Sequence, residues 1–192
     1  MTREIKDGKL YFDGCDTTEL AREYGTPLYV MSETDIIERF SQLRKEFTDK
    51  YPKTRVAYAC KAFCNMAMLK LCEKEGMCID VVSGGELYTA IKAGFPAERI
   101  EFNGNNKLLE ELSAAIDYGI GRIIIDGIGE LELIEKICRE KNKKVKVLYR
   151  ITPGIKADSH DYIVTGKKDS KFGMPQDEDS LYREVKKALD SP

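Results

Sequence analysis

"CIDVVSGGELYTAIKAGFPAERIEFN" occupies residues 78–103. Its ends are short, mostly apolar runs, "CIDVV" (78–82) and "IEFN" (100–103), each the length of a strand buried on both faces. Between them "SGGELYTAIKAG" (83–94) reads as a helix, opened by Ser83 and stopped by Gly94. Strand, helix, strand in this order is the βα unit of a parallel sheet.

The same unit repeats in both directions. Toward the N-terminus, "RVAYAC" (55–60) is a strand and "NMAMLKLCEKEG" (65–76) a helix with a glycine stop. Before it come "PLYVM" (27–31), a strand, and "SETDIIERFSQLRKEF" (32–47), an amphipathic helix capped by Ser32 with Ile36, Ile37, Phe40, Leu43 and Phe47 on one face. Toward the C-terminus follow helix "KLLEELSAAIDYG" (107–119), strand "RIIID" (122–126), helix "IGELELIEKICREK" (128–141) and strand "VKVLYRI" (145–151). A long irregular stretch (152–174) and a last helix, "EDSLYREVKKALD" (178–190), end the chain. Six strands alternating with helices define an α/β protein.

Two architectures compete, an open doubly wound sheet and a (β/α)8 TIM-type barrel. A dinucleotide-binding sheet needs G-x-G-x-x-G after its first strand; "SETD" follows "PLYVM" instead, and neither "GIGE" (127–130) nor "NGNNK" (103–107) completes a phosphate-loop frame. A barrel needs eight strands and about 250 residues, so with about six βα units the expectation is an incomplete barrel. The N-terminal "EIKDGKLYF" (4–12) stands apart: Asp7-Gly8 between alternating runs is a hairpin signal.

Composition restricts the function classes. With 31 Lys and Arg against 33 Asp and Glu, the net charge is −2, and no basic stripe offers a nucleic-acid footprint. "KNKKVKV" (141–147) reads as a solvated turn. No apolar run reaches the length of a membrane span, and "MTREIKDGKL" has no apolar signal-peptide core; the expected location is cytoplasmic. The 6 cysteines form no CxxC pair, and with 1 histidine, His160, no Cys/His zinc set is possible. They read as reduced, mostly buried thiols, and no metal is expected.

Catalytic groups of a barrel lie at the C-terminal ends of its strands. That rule selects Lys61, Asp80, Ser83, Asn103, Asp126 and Arg150. Lys61 is boxed in sequence by Cys60, Ala62, Phe63 and Cys64. An amine held among apolar groups is expected to have a lowered pKa and to attack carbonyl compounds, pyridoxal phosphate included; a lysine snorkelling to solvent is the alternative. Asp80 and Arg150, each in an apolar strand, need partners; they could pair with each other or hold a ligand. Ser83 and Glu86 fit a capping box, while Gly84 and Gly85 would let an anion approach a helix N-terminus. His160, beside Asp158 and Asp161, reads as a loop histidine.

Together, "TPLYV", "YACKAFCNMAMLKLCEKEGMCIDVVSGGELYTAIKAGFPAERIEFNGNNK", "YRITPG" and "SHDYIVTGKKDSKFG" resemble the N-terminal half of the diaminopimelate decarboxylases, pyridoxal-phosphate enzymes of the alanine racemase-like barrel class. The resemblance runs from about Gly14 to the chain end, departing at Cys60 and Phe63, which flank the motif lysine. It implies a β-domain segment at 1–26 and a partial pyridoxal 5'-phosphate-binding barrel at 27–192. It implies that Lys61 holds the cofactor covalently and that Asp80 and Arg150 lie near it; Glu86 and Lys171 match motif positions without an assigned role. The substrate would be an amino acid, meso-2,6-diaminopimelate, decarboxylated to L-lysine by a homodimer, and the short chain alone is expected to be inactive. A single-domain pyridoxal-phosphate carrier, or a carboxynorspermidine, arginine or ornithine decarboxylase, is the alternative.

Overall fold

A computed structural model describes residues 2–152, 172–175 and 178–191; His160 and Lys171, read from the sequence as a loop histidine and a motif lysine, lie outside them. The chain divides into two compact units, 1–56 and 57–192.

The first unit opens with the expected hairpin. β1 (Arg3–Lys6) pairs antiparallel with β2 (Lys9–Phe12), and Ile5 stands opposite Leu10. The turn residues Asp7 and Gly8 have φ of 51° and 74°. Positive φ at both centres suits the twist of a two-residue hairpin, which is why Asp-Gly is found there. β3 (Cys15–Asp16) adds a third strand and leads into α1 (Thr17–Tyr24). Asp16 caps α1 by accepting from the Thr18 amide at 2.8 Å, and its other oxygen accepts from Lys9 Nζ at 2.8 Å. Those partners hold its carboxyl well below the usual range. α2 (Glu33–Leu43) starts at the expected cap, with Ser32 Oγ accepting from the Asp35 amide at 3.0 Å, and loosens into a π-turn at Arg44–Thr48. "PLYVM" (27–31) departs from expectation: it belongs to none of the sheets, and Leu28, Tyr29, Val30 and Met31 are exposed. A strand exists through its ladder bonds, and nothing among the described residues pairs with this segment.

The second unit is a five-stranded parallel sheet: β4 (Ala57–Ala59), β5 (Cys78–Val81), β6 (Ile100–Phe102), β7 (Arg122–Ile125) and β8 (Val147–Tyr149), in that spatial order. The expected six strands are thus five. Four helices cross over between them: α3 (Met66–Lys74), α4 (Gly84–Lys92), α5 (Leu109–Tyr118) and α6 (Glu130–Lys141). Each touches the next, α3 to α4, α4 to α5 and α5 to α6. Helices in lateral contact share one face of the sheet; a doubly wound sheet sends them to opposite faces and reverses its strand order. Neither occurs in this sheet.

The register explains the burial. Val81, Phe102, Ile123 and Val147 stand in one row, and Ile79 pairs with Ile100. Apart from the half-buried Val147, all of these are fully buried, under Leu69, Leu87, Leu112, Ile116 and Ile134 of the helices. Alternation sends the intervening residues to the other face, where Leu148 is exposed. After β8 the chain re-pairs: β9 (Ile151–Thr152) runs parallel to β10 (Met174–Pro175), before α7 (Glu178–Asp190). No helix among the described residues is long and apolar enough to cross a membrane.

Candidate active site

The face that the helices leave uncovered carries the polar residues selected from the sequence. Ala59, Asp80, Glu101 and Arg122 stand in one row across β4 to β7. Ile124 stands opposite Leu148, so one alternation further Asp126 stands opposite Arg150. Asn103 follows Glu101 on the same face. The five strands therefore end with Lys61, Asp80, Asn103, Asp126 and Arg150 at one edge.

Lys61 sits in a 3-10 turn, Cys60–Ala62, immediately after β4. The turn is braced at both sides: Tyr58 Oη donates to the Phe63 carbonyl at 2.9 Å, and Asn65 Oδ1 caps α3 by accepting from the Met68 amide at 2.8 Å. The apolar enclosure expected for Lys61 is absent. Cys60 takes the buried position at 1% exposure, and Lys61 is turned out as an exposed side chain. Burial pushes the neighbouring thiols of Cys60 and Cys64 up, and that of Cys72 to about 12. They stand as protonated thiols, and all cysteines among the described residues are free.

Asp80 is the least satisfied group of the site. Its Oδ1 is buried with no hydrogen-bond partner. Burial raises its pKa, with Glu101 and Glu86 adding to the rise; a hydrogen bond from Asn103 and the Lys61 charge oppose it. The possible pairing of Asp80 with Arg150 is not formed. Arg150 is three strands away and donates from Nη1 to Oδ1 of its register neighbour Asp126 at 3.0 Å, its guanidinium stacked 4.5 Å from the Phe172 ring. The Arg150 amide donates to the Ile125 carbonyl, while its own carbonyl accepts from the Met174 amide. Arg150 thus lies where the chain passes from β8 to β9.

"SGGE" is resolved differently from its sequence reading. Ser83 Oγ accepts from the Glu86 amide at 3.3 Å, as a cap does. Glu86, however, reaches back one residue further than a capping box, accepting from the Val82 amide at 2.7 Å. The anion at the α4 N-terminus is supplied by the protein: Glu111 Oε1 accepts from the Gly84 amide at 2.6 Å. A Cβ at Gly84 would lie 2.7 Å from that oxygen, which explains the glycine. A Cβ at Gly85 would meet nothing closer than Ser83 Oγ at 3.9 Å, so packing gives no reason for the second glycine.

Sequence reasoning missed Lys107. Its side chain is 1% exposed, and its ammonium contacts the carbonyls of Gly104 (2.6 Å) and Ile124 (2.8 Å) and Glu130 Oε1 (2.8 Å). The buried lysine of this sheet is Lys107 and not Lys61. Its partners come from the loop after β6, from β7 and from α6, so no local pattern announces it.

An outward-turned amine and a buried, unpartnered carboxylate oxygen on one sheet edge suit an aldehyde cofactor bearing a protonatable ring. The chain belongs to the pyridoxal-dependent decarboxylases: residues 33–190 match the pyridoxal binding domain of that family. It is 49% identical over 190 residues to diaminopimelate decarboxylase of Bacillus methanolicus and 48% identical to that of Bacillus subtilis, covering 99% of this chain in each case. Among solved structures, diaminopimelate decarboxylase of Methanocaldococcus jannaschii in complex with L-lysine superposes with a TM-score of 0.89 at 40% identity over the whole chain. The chain spans 44% of the Bacillus methanolicus relative and 45% of that structure.

Proposed function

We propose that this chain supplies the pyridoxal-phosphate-binding half of an enzyme that decarboxylates meso-2,6-diaminopimelate to L-lysine. The carrying observation is the 49% identity to a diaminopimelate decarboxylase across 99% of the chain, with Lys61 standing exposed at the C-terminal edge of the sheet. In this reading the five strands are a sector of a (β/α)8 barrel, residues 1–26 belong to a second, β domain, and the working enzyme is a cytoplasmic homodimer.

Lys61 would hold pyridoxal phosphate through its amine, and Asp80 and Arg150 would lie beside it. When bound, the cofactor supplies an electron sink for the carbanion left as carbon dioxide departs. The chain's own residues do the positioning. The Tyr58 and Asn65 bonds fix the turn that presents Lys61. Asp80 keeps its proton to higher pH than an ordinary carboxylate, and its bare Oδ1 is placed to take a donor from a ligand. Arg150, anchored by Asp126, presents a fixed cation to an anionic group of cofactor or substrate. Replacing Lys61 with Ala in the whole enzyme should abolish lysine formation from diaminopimelate; retained turnover would sink the assignment.

A further inference from the structure

We infer that Lys107, remote from Lys61 in sequence and never exposed, is a positioning residue that sets the orientation of Arg150. The chain of contacts is continuous. The Lys107 ammonium donates to the Gly104 carbonyl after β6 and the Ile124 carbonyl in β7, and forms an ion pair with Glu130 Oε1 at the start of α6. The other oxygen of Glu130 accepts from the Asp126 amide at 2.9 Å. Asp126, at 5% exposure, in turn holds Arg150 at 3.0 Å. Lys107 therefore fastens the ends of β6, β7 and β8 together through one partly buried carboxylate.

The direction of control follows from what each link can do alone. Arg150 is 31% exposed at its side chain and long enough to take other rotamers. Only Asp126 and the Phe172 ring hold it among the described contacts. Asp126 can point at Arg150 only while its backbone is held, and the Glu130 bond holds its amide. Glu130 would be a partly buried charge without its partner if Lys107 were removed, and it would be free to swing toward water. The ammonium also lies 6.0 Å from the Phe102 ring centroid, a cation–π contact that adds to its hold. Lys107 contacts neither Lys61 nor Arg150 in any described interaction; its effect on the site passes through Glu130 and Asp126.

The consequence for ligand binding rests on the reading of Arg150 as a cofactor-side cation. The test separates the two. In protein labelled with 15N-arginine, the Nε–Hε signal of Arg150, assigned with an Arg150→Lys variant, reports the guanidinium directly. Glu130→Gln keeps the volume and one acceptor oxygen for the Asp126 amide but removes the charge that pairs with Lys107, so it breaks the ion pair. The expected result is that Glu130→Gln and Lys107→Met each move or broaden the Arg150 signal and leave the other arginine signals in place. Each should also weaken pyridoxal phosphate binding by about tenfold, the scale of a coupling carried through a side-chain network. If Lys107→Met does not fold, Glu130→Gln decides alone. An Arg150 signal unmoved in Glu130→Gln, with Asp126→Asn moving it, would overturn the inference. If the unaltered protein binds no pyridoxal phosphate, the functional reading falls, and the Arg150 signal still decides the link to Lys107.

Discussion

Asp126 and Arg150 stand opposite each other where β7 and β8 end, with Nη1 of Arg150 3.0 Å from Oδ1 of Asp126. The two partners are unequally buried, 5% exposure against 31% at the side chain. Removing the half-buried cation leaves a buried carboxylate without its partner, whereas removing the carboxylate leaves a guanidinium that can reach water. Arg150→Met should therefore destabilise more than Asp126→Asn, by about 3 kcal/mol against about 1 kcal/mol. The double variant should cost less than the sum. Urea unfolding of the four proteins measures this, and additive losses would show that the pair does not interact.

Asp80 gives a pH dependence of definite sign. Its carboxyl is raised above the usual value, first by burial and then by Glu101 and Glu86. A raised carboxyl favours the folded state when protonated. The contribution is fully present below the unfolded value near about pH 4 and is lost as pH rises through the higher folded value. Asp80→Asn, a fixed neutral copy, should be more stable than the parent at pH 7 and equal to it below about pH 4. Urea midpoints for both proteins at the two pH values provide the comparison. Glu101→Gln should narrow the difference, because it removes one of the charges that raises Asp80. A variant that is less stable than the parent at pH 7 would contradict the assignment of a carboxylate raised mainly by burial.

The two glycines of "SGGE" should respond in opposite directions. Gly84→Ala drives a Cβ against Glu111, which holds both the Gly84 amide and the Leu108 amide. Losing that cap should cost about 1 kcal/mol. Gly85→Ala meets open space within the first turn of α4 and should gain about 0.8 kcal/mol from helix propensity. Thermal melting decides the signs. Weaker pyridoxal phosphate binding in the more stable Gly85→Ala protein would show that the second glycine serves ligand approach.

The βα alternation and the polar strand ends were legible because both are local: a strand ending in Asp126 or Arg150 announces itself in a few residues. The choice of barrel-like order over a doubly wound sheet was not, since it depends on which face each helix takes, a matter of contacts between α3, α4, α5 and α6. "PLYVM" has the composition of a strand but pairs with none among the described residues, and composition does not supply a partner. Lys61 misled through its neighbours: apolar residues adjacent in sequence point elsewhere when the chain enters a 3-10 turn, and the turn buries Cys60 in its place. Lys107 and Glu111 escaped because each reaches an element more than twenty residues away, Lys107 to Glu130 and Glu111 to Gly84.

The exposed Lys61 and the enclosed Lys107 make the covalent chemistry directly testable. An amine condenses with an aldehyde only if it can be reached and can lose a proton. Lys61 is exposed. Lys107 is 1% exposed at its side chain and held by two carbonyls and the Glu130 carboxylate, so attack would have to break all three contacts. Treating the protein with pyridoxal phosphate and then borohydride should place a stable pyridoxyl group on the peptide that contains Lys61 and leave the peptide with Lys107 unmodified, as read by mass spectrometry. In Lys61→Ala the visible absorbance of lysine-bound pyridoxal phosphate should disappear, and labelling should fall to the level of other surface lysines. Specific modification of Lys107, or undiminished absorbance in Lys61→Ala, would move the cofactor lysine away from the end of β4 and undo the arrangement proposed for Asp80 and Arg150 around it.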